Sequence, residues 1–449
     1  MKRKIYDKLL EWKNRSQGSC AILIQGARRV GKSYIAEEFG KNEYKAFLLI
    51  DFSAVGNEIF DLFKNFRHNI SFILERLQLY YGVRLPERES LIIFDEIQFC
   101  PFARAAIKQL VADGRYDYIE TGSLISIKQN VKDILIPSEE RTLDMYPMDF
   151  EEFLWAKGDN NLFPFITDSF LNKAAMGSIH RKALENFKEY MMVGGMPQAV
   201  KAFVEGKNFN EIDAIKNDII ELYRYDIRKY AHGESLKAKT IFEEIPGQLQ
   251  KHEKKFRLSE LDRHARMRNY SDAFFWLSDA YLINCCYNST APNIGLRLNE
   301  NRTSIKCYMG DTGLLITMAF GPHSKSINEI YKKIIAGKLE INEGMIVENV
   351  VSQMLKAAGN PLYFYSRNDP KDSRNTLEID FLLSKRNITS RHNIIPVEVK
   401  SGSRYTYSSI KKIVNKYGQY LSTPVILHDK DLYERDGILF LPLYMTPLL

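Results

Sequence analysis

The sequence predicts an α/β fold that opens on a parallel sheet, and three observations carry that expectation. Short apolar runs at 19–25, 46–51, 91–95 and 116–122 alternate with stretches of helical periodicity, the order that builds a parallel sheet with helices between its strands. The first run leads straight into Gly26-Ala27-Arg28-Arg29-Val30-Gly31-Lys32-Ser33. Far downstream, a helix, a hairpin and a further strand follow one another across 344–399, so a second α/β layer is expected near the C-terminus.

Length and composition support a folded chain. At about 150 residues per domain, 449 residues correspond to roughly three domains. Hydrophobic content of 45% and charged content of 27% are those of an average globular protein. The formal charge of +7 is spread along the chain, so a solvated mixed-charge surface is the expectation, and association with nucleic acid or an acidic partner is permitted without being demanded. Cys20, Cys100, Cys285, Cys286 and Cys307 are odd in number and show no C-x-x-C spacing, and the histidines form no H-x-x-x-H pair. Disulfides and zinc are therefore not expected. Charged residues interrupt the N-terminal segment where a leader would be apolar, and no apolar run approaches 18 residues. A cytoplasmic location without a membrane span is the expectation.

Residues 26–33 complete the pattern G-x4-G-K-[ST] between a strand and a helix. Glycines let consecutive N–H groups turn inward around phosphate oxygens. Lys32 then reaches the β- and γ-phosphates, and the Ser33 hydroxyl can ligate Mg²⁺. Chance gives the bare pattern in about one or two chains in a hundred of this length, and the strand-before, helix-after context lowers that further. Leu91-Ile-Ile-Phe-Asp95-Glu96 supplies the apolar strand ending in acids, with Asp95 expected at Mg²⁺ and Glu96 placed to orient the attacking water. Thr121 and Ser123 follow the next strand, where either could sense the γ-phosphate. Capping of the following helix explains Ser123 equally well. ATP and Mg²⁺ are the expected cofactors, with residues 26–33 and Tyr34 forming the nucleotide contact.

The set Gly26-Ala-Arg-Arg-Val-Gly-Lys-Ser, Phe94-Asp-Glu-Ile-Gln, Glu120-Thr-Gly-Ser and Met148-Asp-Phe-Glu-Glu-Phe-Leu resembles a widespread bacterial and archaeal group of AAA-type ATPases. In that group the P-loop domain is fused to a C-terminal domain of unknown function. The resemblance continues through Gly194-Gly-Met-Pro, Tyr308-Met-Gly-Asp-Thr-Gly-Leu-Leu and Glu398-Val-Lys-Ser-Gly. It implies ATP binding, slow hydrolysis and a nuclease-like tail. It also suggests Arg141 as a contact to the γ-phosphate, in cis or from a neighbouring copy; a surface ion pair is the other explanation of that residue.

These readings divide the chain into a P-loop domain (1–155), a helical lid or connector (156–235), a winged-helix-like segment (236–320) and a restriction-endonuclease-like domain (321–449). The third segment rests on helical patterns at 240–249, 258–264 and 270–282 that lead into a strand-like ribbon from Cys285 to Tyr308. Its third helix has no Arg or Lys and carries Asp272 and Asp279, which phosphates repel, whereas Arg263, Arg266 and Arg268 lie just ahead of it.

In the last segment Asp380 and Glu398 end two apolar stretches, and Glu398 and Lys400 share a strand face because the period is two. With Glu348 on the preceding helix they could hold a divalent metal while Lys400 orients a water. The pattern E-x-K also occurs at Glu11, Glu43, Glu205 and Glu253, so only its strand context singles out the Glu398 copy. A structural cluster of ions is the competing account. Two functions are therefore carried forward: an Mg²⁺-dependent ATPase controlling a DNA-associated nuclease-like module, and a nucleotide-gated switch whose inactive tail binds a protein or a second copy of the chain.

Overall fold

A computed structural model of the chain describes residues 1–122, 138–231, 233–251, 255–261, 263, 265–293, 295–320, 327–335, 343–368, 376–385, 391–402 and 405–449. It divides into two compact units, Met1–Tyr146 and Pro147–Leu449.

The first unit runs α1 (Ile5–Ser16), β1 (Ala21–Gln25), α2 (Lys32–Glu43), β2 (Ala46–Asp51), α3 (Asn57–Phe66), α4 (Ile70–Tyr81), β3 (Ser90–Asp95), α5 (Pro101–Asp113), β4 (Asp117–Gly122) and β5 (Glu140–Asp144). All pairings in its five-stranded sheet are parallel, in the order β2-β3-β4-β1-β5. Every residue of β1, β3 and β4 is buried, as expected for strands covered on both faces. On one face Leu23, Ile50, Ile92 and Phe94 join apolar residues of α3, α4 and α5. Phe94 stands 5.7 Å, ring to ring, from both Phe52 and Phe63. Phe39 of α2 meets Tyr6 and Trp12 of α1. The decisive feature is the order: β4 lies between the strand that feeds the glycine-rich loop and the strand that ends in Asp95, so the tip of β4 falls between them.

The second unit begins with α6 (Phe150–Ala156), α7 (Leu162–Leu171), α8 (Ser178–Val193), α9 (Pro197–Val204), α10 (Phe209–Tyr230), α11 (Ser235–Leu249) and α12 (Ser271–Asp279). Then come β6 (Ile283–Ser289), β7 (Glu300–Met309), α13 (Thr312–Phe320), α14 (Ile327–Ile335) and α15 (Glu343–Ala357). They are followed by β8 (Tyr363–Arg367), β9 (Leu377–Ser384), β10 (Ile394–Val399), α16 (Ser408–Tyr417), β11 (Val425–His428), β12 (Tyr433–Arg435) and β13 (Ile438–Pro442). Two sequence motifs find their reasons here. Asp149 and Glu152 close a reciprocal capping box at the start of α6. Gly194-Gly195-Met-Pro packs against Gly310-Asp311-Thr-Gly: the Gly195 N–H donates to Asp311 Oδ2 at 2.6 Å, while Asp311 Oδ1 accepts from the Leu314 N–H. A side chain at Gly194, whose φ is +81°, would strike Asp311.

The winged-helix expectation needs correction. The β6–β7 ribbon is not a free wing: β6 pairs in parallel with β8, which makes the ribbon one end of an eight-stranded sheet ordered β12-β13-β11-β10-β9-β8-β6-β7. Of the helix expected at 258–264, the described residues form only a 3-10 turn at Leu258–Glu260. The sheet core is built by Tyr365, Ile379, Leu382, Ile394, Ile426 and Phe440, with Ile410 and Ile413 of α16 laid over it.

Candidate functional site

The glycine-rich loop leaves β1 through Gly26, at φ +158°, and enters α2 through Gly31, at φ +97°. Arg29 is also in the left-handed region, at φ +67°, and is exposed, while Val30 is buried. Gly26 has no room for a side chain, since a Cβ would lie 2.1 Å from the Met145 carbonyl oxygen. Inside the loop Lys32 is buried, and its ammonium donates to the carbonyls of Gly26 and Ala27 at 3.0 Å each. Arg28 is half-buried at the loop's bend, and Tyr34 is exposed one residue beyond Ser33.

The register that pairs Phe94 with Glu120 brings Asp95 level with Thr121. Ser33 Oγ donates to Asp95 Oδ1 at 2.7 Å, and the Thr121 hydroxyl donates to the same oxygen. Thr121 Oγ1 in turn accepts from the Glu96 N–H at 3.4 Å. Glu96 stands in the left-handed region at φ +52°, and Gln98 Nε2 donates to its carboxylate. Four residues on three elements thus form one connected chain: Ser33 on α2, Asp95 and Glu96 at the end of β3, and Thr121 on β4. Ser33 and Asp95 offer a hydroxyl and a carboxylate within 2.7 Å of each other, hard oxygen donors that suit Mg²⁺.

Two other expected residues fare differently. Ser123 lies outside the described residues. Arg141 is exposed on β5 and registers with Ile22, three residues before Gln25, so at about 3.3 Å per residue it falls roughly 10 Å short of the strand ends that face the loop. The register therefore does not bring it to Lys32 within one chain.

Sequence reasoning missed several neighbours. Buried Arg3 donates to the Val30 carbonyl at 2.8 Å and to the Tyr146 carbonyl at 2.7 Å, tying the loop to the last residue of the unit. Gln25 Nε2 donates to Asp144 Oδ1, and the Met145 N–H to the Gln25 carbonyl. Beside Thr121, Glu120 is fully buried. Burial, followed by the nearby Glu140 carboxylate, pushes its pKa well above the ordinary range, opposed by Arg104, which pairs with Glu140 at 2.9 Å. None of these has a motif, because an arginine or glutamate acquires its role here from long-range contacts.

Residues 19–154 match the family described as an AAA domain. The N-terminal unit carries an AAA-type P-loop ATPase fold. Residues 184–324 and 343–445 match two domains of unknown function, DUF8612 and DUF4143. Among solved structures, the Walker-type ATPase of Pyrococcus abyssi is 14% identical over 71% of this chain and 95% of its own, with a TM-score of 0.42. The Orc1 protein of Aeropyrum pernix, solved in complex with DNA, is 11% identical over 71% and 91%, with a TM-score of 0.29. The Cdc6 protein of Pyrobaculum aerophilum is 10% identical over 75% and 94%, with a TM-score of 0.25. No curated protein matches the chain. Among the described residues no helix is long and apolar enough to cross a membrane.

The expected C-terminal cluster is brought together, but not around a shared metal position. Lys400 Nζ donates to Glu398 Oε1 at 2.6 Å. Burial pushes the Glu398 carboxyl up to about 7 against the pull of Lys400, and Glu398 Oε2 is buried with no hydrogen-bond partner among the described residues. Asp380 turns one oxygen to the Val399 N–H at 2.9 Å and the other to Lys306, a residue the sequence analysis did not single out. Glu348 Oε2 accepts from the Tyr308 hydroxyl at 3.0 Å. Among the described residues no group of three or more His, Cys, Asp or Glu side chains is arranged to hold a metal ion. The metal-ligand role expected of Glu348, Asp380 and Glu398 is therefore not supported by this arrangement: both Asp380 oxygens are engaged, and one Glu398 oxygen remains.

Proposed function

We propose that this chain binds ATP with Mg²⁺ at residues 26–34 and hydrolyses it, and that its nucleotide state controls the C-terminal unit. The observation that carries the reading is the chain Ser33–Asp95–Thr121–Glu96, which holds a cation ligand and a candidate base in fixed relation beside Lys32. Mg²⁺, held through Ser33 and Asp95, would supply positive charge to the phosphate oxygens. Lys32 exchanges its two loop carbonyls for phosphate oxygens, Glu96 orients the attacking water, and Thr121 fixes the distance between Asp95 and Glu96. Calorimetry on Lys32→Ala tests the site. ATP-Mg²⁺ binding is expected to be lost, because the substitution removes the cation aimed at the β- and γ-phosphates, and unchanged affinity would refute the assignment.

Control of the second unit is supported by how the loop is anchored. Gly26 backs onto Met145, and Arg3 bonds both Val30 and Tyr146, so any movement of the loop acts on the residues from which the chain continues into Pro147. DNA is the partner we favour for that unit, on the strength of the exposed arginines 257, 263, 266 and 268 within one short segment. The alternative, a tail that binds without cutting, is favoured by the surroundings of Asp380.

A further inference from the structure

Lys306 projects from β7, opposite Cys286 of β6, and is 1% exposed. Its ammonium lies 2.9 Å from Glu378 Oε1, 3.3 Å from Asp380 Oδ1 and 3.9 Å from Glu348 Oε2. Glu378 and Asp380 reach it from one face of β9, and Glu348 reaches it from α15. Three acids converging on a buried point require a cation, because an uncompensated buried charge is strongly destabilising. Burial alone pulls a lysine toward the neutral form. Here Glu348, Asp380 and Glu378 outweigh it and hold the ammonium above the usual lysine range.

We propose that Lys306 is the resident cation of this cluster, a tethered ammonium in the place where a divalent ion would be shared by Glu348 and Asp380, and that the C-terminal unit consequently engages its partner without metal-dependent phosphodiester cleavage. Two of the three acids that a nuclease would need as ligands are committed to Lys306, and the third, Glu398, is committed through one oxygen to Lys400. A divalent ion entering beside Asp380 would meet an ammonium 3.3 Å from the oxygen it needs. The inference is independent of the nucleotide site, whose residues it does not use.

The test is a Mn²⁺ titration of the full-length, nucleotide-free protein, followed by water-proton relaxation and by thermal melting. The chains compared are wild type, Asp380→Asn, Lys306→Arg, Lys306→Ala, and Lys306→Ala combined with Asp380→Asn. Wild type and Lys306→Arg are expected to show no Mn²⁺ site that depends on Asp380. Lys306→Ala is expected to melt several degrees lower in chelator and to recover with millimolar Mn²⁺, because the freed acids then bind the ion. The double variant should lose that recovery. An Asp380-dependent Mn²⁺ site in the wild type would overturn the proposal. So would wild-type cleavage of plasmid or single-stranded DNA with Mn²⁺ that disappears in Asp380→Asn. Lys306→Ala melting like the wild type with no response to Mn²⁺ would overturn it as well. If Lys306→Ala does not fold, the comparison of wild type with Asp380→Asn still decides.

Discussion

Replacing Thr121 by Val keeps the side chain's shape and deletes the hydroxyl that joins the Asp95 carboxylate to the Glu96 backbone N–H. In the native chain Thr121 Oγ1 donates to Asp95 Oδ1 and accepts from the Glu96 N–H. A hydrogen bond to a charged group contributes about 1.5–3 kcal/mol. At about 1.36 kcal/mol per tenfold in rate, losing the bond to Asp95 predicts a drop in kcat of roughly 10- to 150-fold. The loss should appear in kcat and leave ATP affinity nearly unchanged, because Lys32 and the loop, which are proposed to contact the phosphates, are not bonded through Thr121. Thr121→Ser, which restores the hydroxyl, should recover most of the rate. Steady-state hydrolysis and calorimetric ATP binding on the three chains separate the cases. A kcat within twofold of wild type in Thr121→Val, or a purely KM effect, would refute the positioning role and the site geometry with it.

Glu96→Gln should retain ATP while losing most turnover, since the amide keeps the shape but cannot polarise water; a fall in hydrolysis of no more than twofold would remove Glu96 from the mechanism. DNA binding by the second unit should weaken steeply with added salt, and Arg266→Ala with Arg268→Ala should lower affinity uniformly across sequences and flatten the salt slope in a fluorescence titration. The buried Glu398 carboxyl, raised to about 7 from an ordinary 4.5, gives stability that is fully present below pH 4.5 and lost as pH rises through 7, a change of about 3 kcal/mol. His428, lowered to about 4 by burial, acts in the opposite sense between 6.5 and 4, so denaturant melts should be read as the difference between wild type and Glu398→Gln, which should shrink toward acid and grow toward pH 8.

What could be read from the sequence divides along a physical line. β1, β3 and β4 are buried throughout and β2 is half-buried, and the expected bounds of all four fall within two residues of those observed. The loop between β1 and α2 is legible because phosphate binding demands glycines, a lysine and a hydroxyl at fixed spacing. The edge strand β5, Glu140-Arg-Thr-Leu-Asp144, is half exposed and carries no apolar pattern, so nothing local announced it. The β6–β7 ribbon looked like a wing because its two strands pair with each other locally. Its membership in the larger sheet depends on β8, some 75 residues later. Lys306 was illegible for the same reason. A lysine at the buried end of a mixed polar strand has no motif, and its three acidic partners lie 42 to 74 residues downstream.

Asp95 and Asp380 were expected to do the same work, and the donors around them explain why they differ. Each has an oxygen held within hydrogen-bonding reach of a neighbouring side chain, and neither is short of partners. Around Asp95 those partners are hydroxyls, from Ser33 and Thr121. A hydroxyl orients a carboxylate without bringing a positive charge to it, and it can rotate to offer its own lone pair, so under the proposed function Asp95 and Ser33 can serve a cation together. Around Asp380 the partner is an ammonium, which has three donors, no lone pair and a full positive charge. It satisfies the same oxygen geometrically and removes the electrostatic reason for a metal to come. The kind of donor, hydroxyl or ammonium, therefore separates the carboxylate proposed to meet Mg²⁺ from the one proposed to have its cation already. Exchanging Lys306 for a neutral residue should move Asp380 toward the first condition.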